Sequence, residues 1–159
     1  MKRLIVTVSA LLLGGLVGVP VSGQDPDEAM QLAKKLTEKG AITFNTANAK
    51  AMAAYYTQDA KVFLESKHES GLTVKEYNGR DEIEGLYKDL FKNPGTIQSK
   101  NTVEYARLLA PDLLVIAGTF EPNQVAPNPL KIPFYQVRIK QGEHWLMSSL
   151  RIFVVPAKK

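Results

Sequence analysis

The spacing of apolar residues changes twice along the chain, and the changes divide it into three parts. From Leu4 to Val19 apolar residues run almost without interruption. From Ala29 to Leu90 most recur every three or four positions, and after Gly95 they come in dense blocks rich in β-branched and aromatic side chains. Recurrence at three and four describes one face of a helix, whereas β-branched and aromatic density marks strands.

The middle part predicts three helices. Asp25-Pro26-Asp27-Glu28 supplies an N-cap acid, a proline at the first helical position and a glutamate at the third, a capping-box start. Behind it Ala29, Leu32, Ala33, Leu36 and Phe44 share a stripe. Gly40 lies on that stripe too, so the helix either breaks there or continues with no side chain at one inward spot. Asn48 caps a second, shorter helix with the stripe Ala49, Met52, Ala53 and Tyr56. Asn78-Gly79 opens a third over Ile83, Leu86, Tyr87 and Leu90, and Asn93-Pro94-Gly95 stops it.

Between the second and third helices, Ala60 to Glu65 reads as a strand. A polar stretch from Ser66 follows, with a short strand around Leu72 to Lys75. The last part predicts strands over Thr102–Leu109, Leu113–Glu121, Ile132–Lys140 and His144–Val154, with turns at Ala110-Pro111-Asp112 and Gln141-Gly142 and a long proline-rich loop from Glu121 to Pro129. Helices first and a four-stranded antiparallel run afterwards spell an α+β domain.

The first part is an export signal by its layout. Met1, Lys2 and Arg3 form a basic head, the apolar run follows, and Val21-Ser22-Gly23 offers small residues before Gln24. A permanent membrane anchor wants about 20 apolar residues, and this run is shorter and meets Pro20 at once. The expected division is a signal peptide over 1–23 and a single domain over 24–159, in the periplasm or outside a bacterial cell.

Composition narrows the chemistry. A chain of 159 residues, 45% hydrophobic and 23% charged, is ordinary for one globular domain. With no cysteine, a disulfide scaffold, a thiolate metal site and a cysteine nucleophile are excluded. Two histidines, His68 and His144, exclude a three-histidine metal site. The net charge of +4 includes Lys2 and Arg3, so the mature chain carries +2, which makes no electrostatic case for nucleic acid. No metal, no cofactor and no membrane contact after signal cleavage are expected.

Four short segments, taken in order, carry a resemblance. They are Tyr56-Thr57-Gln58-Asp59-Ala60 leading into a strand, Asn78-Gly79-Arg80-Asp81-Glu82-Ile83 opening a helix, Leu109-Ala110-Pro111-Asp112-Leu113 between strands, and Gly142-Glu143-His144-Trp145 before the last strand. This order is similar to the nuclear transport factor two-like superfamily, in its SnoaL-like and ketosteroid isomerase-like branch. The resemblance implies a cone in which a curved antiparallel sheet wraps around three N-terminal helices and encloses one cavity. It also implies where a ketosteroid isomerase would keep its carboxylate base and two oxyanion donors. The base position, four residues past Ala60, falls on Leu64. One donor position, counted back from Asn48, falls on Gly40, and the other, counted back from Arg138, falls on Tyr135. Only Tyr135 has suitable chemistry, so steroid isomerisation is not expected.

The final hairpin, read with Gln141-Gly142 as a two-residue turn, sets Tyr135 against Ser148, Val137 against Leu146 and Pro133 against Leu150. The inner wall would then hold Tyr135, Val137, Leu146, Ser148, Leu150 and Ile152. Phe134, Gln136, Arg138, Trp145, Met147, Ser149, Arg151 and Phe153 would form an outer face fit for homodimerisation. Arg138 beside Trp145 reads as a surface cation over a ring, and Arg151, between Leu150 and Ile152, is expected either to snorkel to the rim or to pair with a carboxylate, with Glu104 and Glu121 as the candidates. Glu65, His68 and Glu69 read as a solvated loop, and Ser148 and Ser149 lack the partners of a hydrolase triad.

The expected pocket is Tyr56, Leu64, Tyr87, Tyr135, Val137, Leu146, Ser148 and Leu150. Three functions fit it. One is a secreted module that binds a small apolar or amphipathic molecule. The second is an enzyme of the isomerase, dehydratase or cyclase type acting on a small carbonyl compound, with Tyr135 joined by Glu65, Glu104 or Arg151. The third is an obligate dimer with a filled, vestigial pocket.

Overall fold

A computed structural model describes residues 26–68, 71–95 and 97–154. The expected export signal and its cleavage site lie outside them. Helix α1 (Pro26–Phe44) runs unbroken through Gly40. Helix α2 (Ala49–Ala53) starts as its sequence requires, with the Asn48 side chain accepting from the Ala51 N–H at 2.9 Å. Helix α3 (Gly79–Leu90) is capped differently. Asn78 makes no side-chain cap, and Glu82, four residues on, reaches back to accept from the Asn78 N–H at 2.7 Å, much as the N3 glutamate of a capping box does.

Six strands follow the blocks in the sequence: β1 (Tyr56–His68), β2 (Gly71–Asn78), β3 (Lys100–Ala110), β4 (Leu113–Glu121), β5 (Ile132–Gln141) and β6 (His144–Val154). They form one curved, unclosed sheet in the order β2-β1-β6-β5-β4-β3. This α+β arrangement of helices against a curved sheet is the expected one, with one correction. The sheet is not antiparallel throughout, because β1 and β6 run parallel. β1 gives one edge to its hairpin partner β2. Its other edge receives the last strand only after the long excursion through α3 and β3 to β5, and a parallel pair requires a crossover of that kind. β1 is also longer than expected, and Tyr56 opens it instead of closing α2.

The core lies between the concave sheet face and the helices. Ala33, Tyr56, Val62, Ile83, Leu114 and Ile116 are fully buried. A cluster of rings joins α1, α3 and β4. Phe44 meets Phe91 and Phe120 edge-on at 5.1 and 5.0 Å between centroids, and Tyr87 stacks on Phe91 at 5.8 Å. α1 is tied to β3 by polar contacts: Asn45 accepts from the Ser99 N–H at 2.8 Å, and Asn101 donates to the Thr37 carbonyl at 2.9 Å. Packing of β3 on β4 depends on Gly118, where a Cβ would stand 2.1 Å from the Thr102 carbonyl oxygen.

The β5–β6 hairpin departs from the expected register. Gln141 pairs with His144, so the tight turn is Gly142-Glu143, with Gly142 at φ +60°. Further up, Arg138 pairs with Met147 but Val137 pairs with Ser149, which leaves Ser148 as a bulge. The Ser148 hydroxyl donates to the Val137 carbonyl at 3.2 Å and so satisfies the displaced residue. A bulge inverts the in-out alternation along its strand. Leu150 and Ile152 therefore face inward as expected, while below the bulge Met147 faces inward in place of Leu146 and Ser148.

Candidate functional site

Between the concave sheet face, α1 and α3 lies a cavity of about 360 Å³. Its wall is apolar over most of its extent, with Phe44, Leu86, Phe120, Ile132, Phe134 and Met147 among the lining residues. Gly40, the inward spot without a side chain, also lines it, and a Cβ placed there would meet nothing within 4 Å. Leu90 and Leu130 line the cavity and are 53% and 46% exposed, so it opens between the end of α3 and the proline-rich loop before β5.

The polar groups gather on the β5 wall and opposite it. Gln136 and Arg138 point inward and are buried, Arg138 at 2% exposure. The Arg138 Nε donates to Gln136 Oε1 at 3.0 Å, and Nη1 donates to the Trp145 carbonyl at 3.5 Å. Tyr56, from β1, and Tyr87, from α3, share a hydroxyl hydrogen bond of 2.8 Å. Arg80 holds this corner together by donating from Nε and Nη2 to the Tyr56 carbonyl at 3.1 and 2.5 Å.

Burial sets the electrostatics. Desolvation pushes the Tyr56 hydroxyl well above the usual tyrosine range, with further upward contributions from Tyr87, and Arg138 pulling it back. Tyr87 is raised by desolvation too, against downward pulls from its bond to Tyr56 and from the Arg138 charge. Desolvation lowers Arg138 to about 10, and the neighbouring tyrosines resist that shift. At neutral pH Arg138 is thus a cation and both hydroxyls are protonated. No Asp, Glu or His lines the cavity among the described residues. None of the four ion pairs among them includes Arg138.

Of the expected pocket residues, Tyr56, Leu64, Tyr87 and Leu150 line the cavity. Tyr135, Val137, Leu146 and Ser148 do not. Tyr135 is 38% exposed on the convex face, because β5 turns Phe134, Gln136 and Arg138 inward, and the bulge removes Leu146 and Ser148 from the inner row. The isomerase-type counts therefore land inside the cavity at Leu64 and Gly40 and outside it at Tyr135. Arg138 is a buried donor set and not a surface cation, and Phe134, Gln136 and Met147 leave the outer face with it. On β5 the pair Gln136 and Arg138 alternates with Tyr135 and Val137, and apolar pattern alone sends the wrong set inward.

On the convex face, Arg151 pairs with the Glu65 carboxylate and not with Glu104 or Glu121, and its guanidinium lies 4.3 Å from the centre of the Phe63 ring. Glu104 accepts from the Thr119 hydroxyl at 2.7 Å on the exposed side of β3. Tyr135, Glu65, Glu104 and Arg151 thus stand outside the cavity. His68 is exposed at the end of β1, and Glu69 lies outside the described residues. No cluster of His, Asp and Glu that could hold a metal occurs among the described residues, and none of their helices is long and apolar enough to cross a membrane.

No protein-family model matches the chain, and no curated protein matches it. Solved structures do. A nuclear transport factor 2-like protein of unknown function from Shewanella oneidensis superposes with a TM-score of 0.62 at 17% identity, over 82% of this chain and all of that one. A domain of unknown function with a cystatin-like fold from Nostoc punctiforme gives 0.62 at 14% identity, over 79% of this chain and 76% of that one. A ketosteroid isomerase-like protein from Erwinia carotovora gives 0.55 at 16% identity, over 77% and 93%. The chain has the fold that these proteins share.

Proposed function

We propose that the mature protein is an exported binding module that holds a small, largely apolar molecule in the cavity between its sheet and its helices. The observation that carries this reading is the pairing of about 360 Å³ of apolar space with a mouth and a small set of inward polar groups, the usual makeup of a ligand site. Export is supported by the basic head, apolar run and small-residue end of residues 1–23.

Catalysis on a carbonyl compound is less well supported. Protonated Tyr56 and Tyr87 could steady an oxyanion, but the described lining offers no group ready to accept a proton at neutral pH. The experiment is displacement of an apolar fluorescent probe, such as an anilinonaphthalene dye, from wild type and Gly40→Leu. Gly40 lines the cavity and a Cβ there meets nothing within 4 Å, so the leucine side chain is directed into the space that the probe would occupy. Loss of probe binding in a folded Gly40→Leu supports the reading, and unchanged binding would end it.

We also propose a homodimer through the convex sheet face. Across the strands that face carries the row Tyr105, Ala117, Tyr135, Arg151 and Phe63, each paired with the next. β5 presents Tyr135 and Val137 outward while keeping Gln136 and Arg138 within, an inversion of the usual apolar-in pattern that a partner surface would explain.

A further inference from the structure

We infer that the cavity takes a monoanion: one carboxylate, or an equivalent singly charged oxyanion head, on an apolar body, with the head at Arg138 and the body directed toward Leu90 and Leu130. This rests on the small-molecule reading above and narrows its ligand class.

The head group follows from counting donors. A guanidinium has five N–H groups. Nε and one N–H of Nη1 are used within the protein, and Nη2 has no hydrogen-bond partner among the described residues. Gln136 accepts through Oε1, and its amide nitrogen has no partner among the described residues either. Tyr56 and Tyr87 bring two hydroxyl hydrogens and use one between them, so one is left to donate. Arg138 pairs with Met147 and Met147 pairs with Tyr56 across three adjacent strands, and Tyr87 bonds Tyr56, which places these groups at one end of the cavity. That end holds donors, one positive charge and no carboxylate. A buried cation is costly unless it is paired, and a planar guanidinium matches the two oxygens of a carboxylate. A phosphate monoester brings close to two negative charges, and one would remain uncompensated.

The body follows from size and direction. An apolar cavity of about 150 Å³ takes a benzene, so this one has room for roughly 14 heavy atoms. From Arg138 to Ile132 the extended strand climbs roughly 20 Å toward the mouth, ample for an extended ten-carbon chain. Beyond Gln136 the wall along that path carries Phe134, Leu150, Ile152 and Leu64.

Calorimetric titration at neutral pH with decanoate and with its neutral counterpart 1-decanol tests the assignment on wild type, Arg138→Met and Arg138→Lys. Decanoate should bind wild type about tenfold or more tighter than 1-decanol. Arg138→Met should erase that preference by weakening decanoate and leaving 1-decanol unchanged, and Arg138→Lys, which keeps the charge without the fork, should retain part of it. Equal binding of acid and alcohol to wild type, or an undiminished preference in Arg138→Met, would overturn the anion assignment and leave the pocket reading standing. Absence of binding by either probe would overturn both. If Arg138→Met fails to fold by circular dichroism, the wild-type ratio and Arg138→Lys decide alone.

Discussion

Arg138 and Arg151 stand on neighbouring strands of one sheet, one on each face, and the two faces treat them differently. Arg151, on the convex side, has the Glu65 carboxylate beside it and the Phe63 ring under its guanidinium. Arg138, on the concave side, is almost wholly removed from water and has only an amide oxygen and a distant carbonyl. A fold that needed a cation merely to solubilise a strand would place it as Arg151 is placed. Tolerating Arg138 without a counter-charge costs stability, and the lowering of its pKa to about 10 expresses that cost, on the order of 3 kcal/mol at neutral pH. The concave face is therefore the one where stability has been given up, and binding sites commonly show that feature.

The largest effect expected from breaking the contrast is charge reversal. Arg138→Glu places a carboxylate where the described surroundings offer no cation, and should destabilise the protein by about 3 to 5 kcal/mol. Arg151→Glu, set beside Glu65 but open to water, should cost about 1 kcal/mol or less. Urea unfolding of both variants measures the difference. Equal losses would mean that the two faces are electrostatically alike.

Neutralisation sharpens the contrast and changes its sign. Arg138→Met keeps the bulk and removes the unpaired charge, so the ligand-free protein should gain about 1 to 3 kcal/mol. Arg151→Met gives up an exposed ion pair and should lose about 1 kcal/mol or less. A loss above about 1 kcal/mol in Arg138→Met would show that the fold itself depends on that cation.

The same two faces separate what the sequence could reveal from what it could not. Helix starts were legible because Asn48 and the Glu82 side chain do local work, and strand limits were legible because Leu113–Glu121 and His144–Val154 are bounded by turn residues. Tyr87 could be placed from the stripe of α3 and Leu64 from the order of elements that carries the resemblance, whereas Tyr56 and Leu150 line the cavity although the helix and the hairpin register that placed them there are not the ones observed. The inner row of β5 could not, since alternation says that two sets exist and not which one is buried, and the apolar set is here the outer one. Ser148 closed the other route. Strict alternation propagates Leu150's inward orientation down to Leu146, and only the bulge stops it. The doublet Ser148-Ser149, set between the apolar pairs Leu146-Met147 and Leu150 with Ile152, is the trace that the bulge leaves in the sequence.

If the convex face is the dimer contact, a charge placed on it acts in both copies. Tyr135→Glu should raise the dimer dissociation constant about tenfold or more, equivalent to about 1.4 kcal/mol, as read by sedimentation. Met147→Glu is no equivalent probe, because Met147 is buried on the cavity side. A wild type that sediments as a monomer at micromolar concentration would leave the outward apolar row of β5 without this explanation.

The smallest effect concerns the open space of the cavity and not the charge of Arg138. Gly40 sits inside α1 with helical neighbours on both sides, and a Cβ there would project into the cavity without touching anything within 4 Å. Replacing a mid-helix glycine by alanine removes backbone freedom from the unfolded chain and is worth about 0.5 to 1 kcal/mol where no clash opposes it. Gly40→Ala should therefore stabilise the protein by that amount and trim the cavity by one methyl group. Gly118→Ala, whose Cβ would press on the Thr102 carbonyl, should destabilise it. Thermal unfolding of the pair gives opposite signs if Gly40 fronts open space. A Gly40→Ala variant less stable than wild type would mean that the wall opposite the sheet is already packed, and that the room for a ligand is smaller than the geometry indicates.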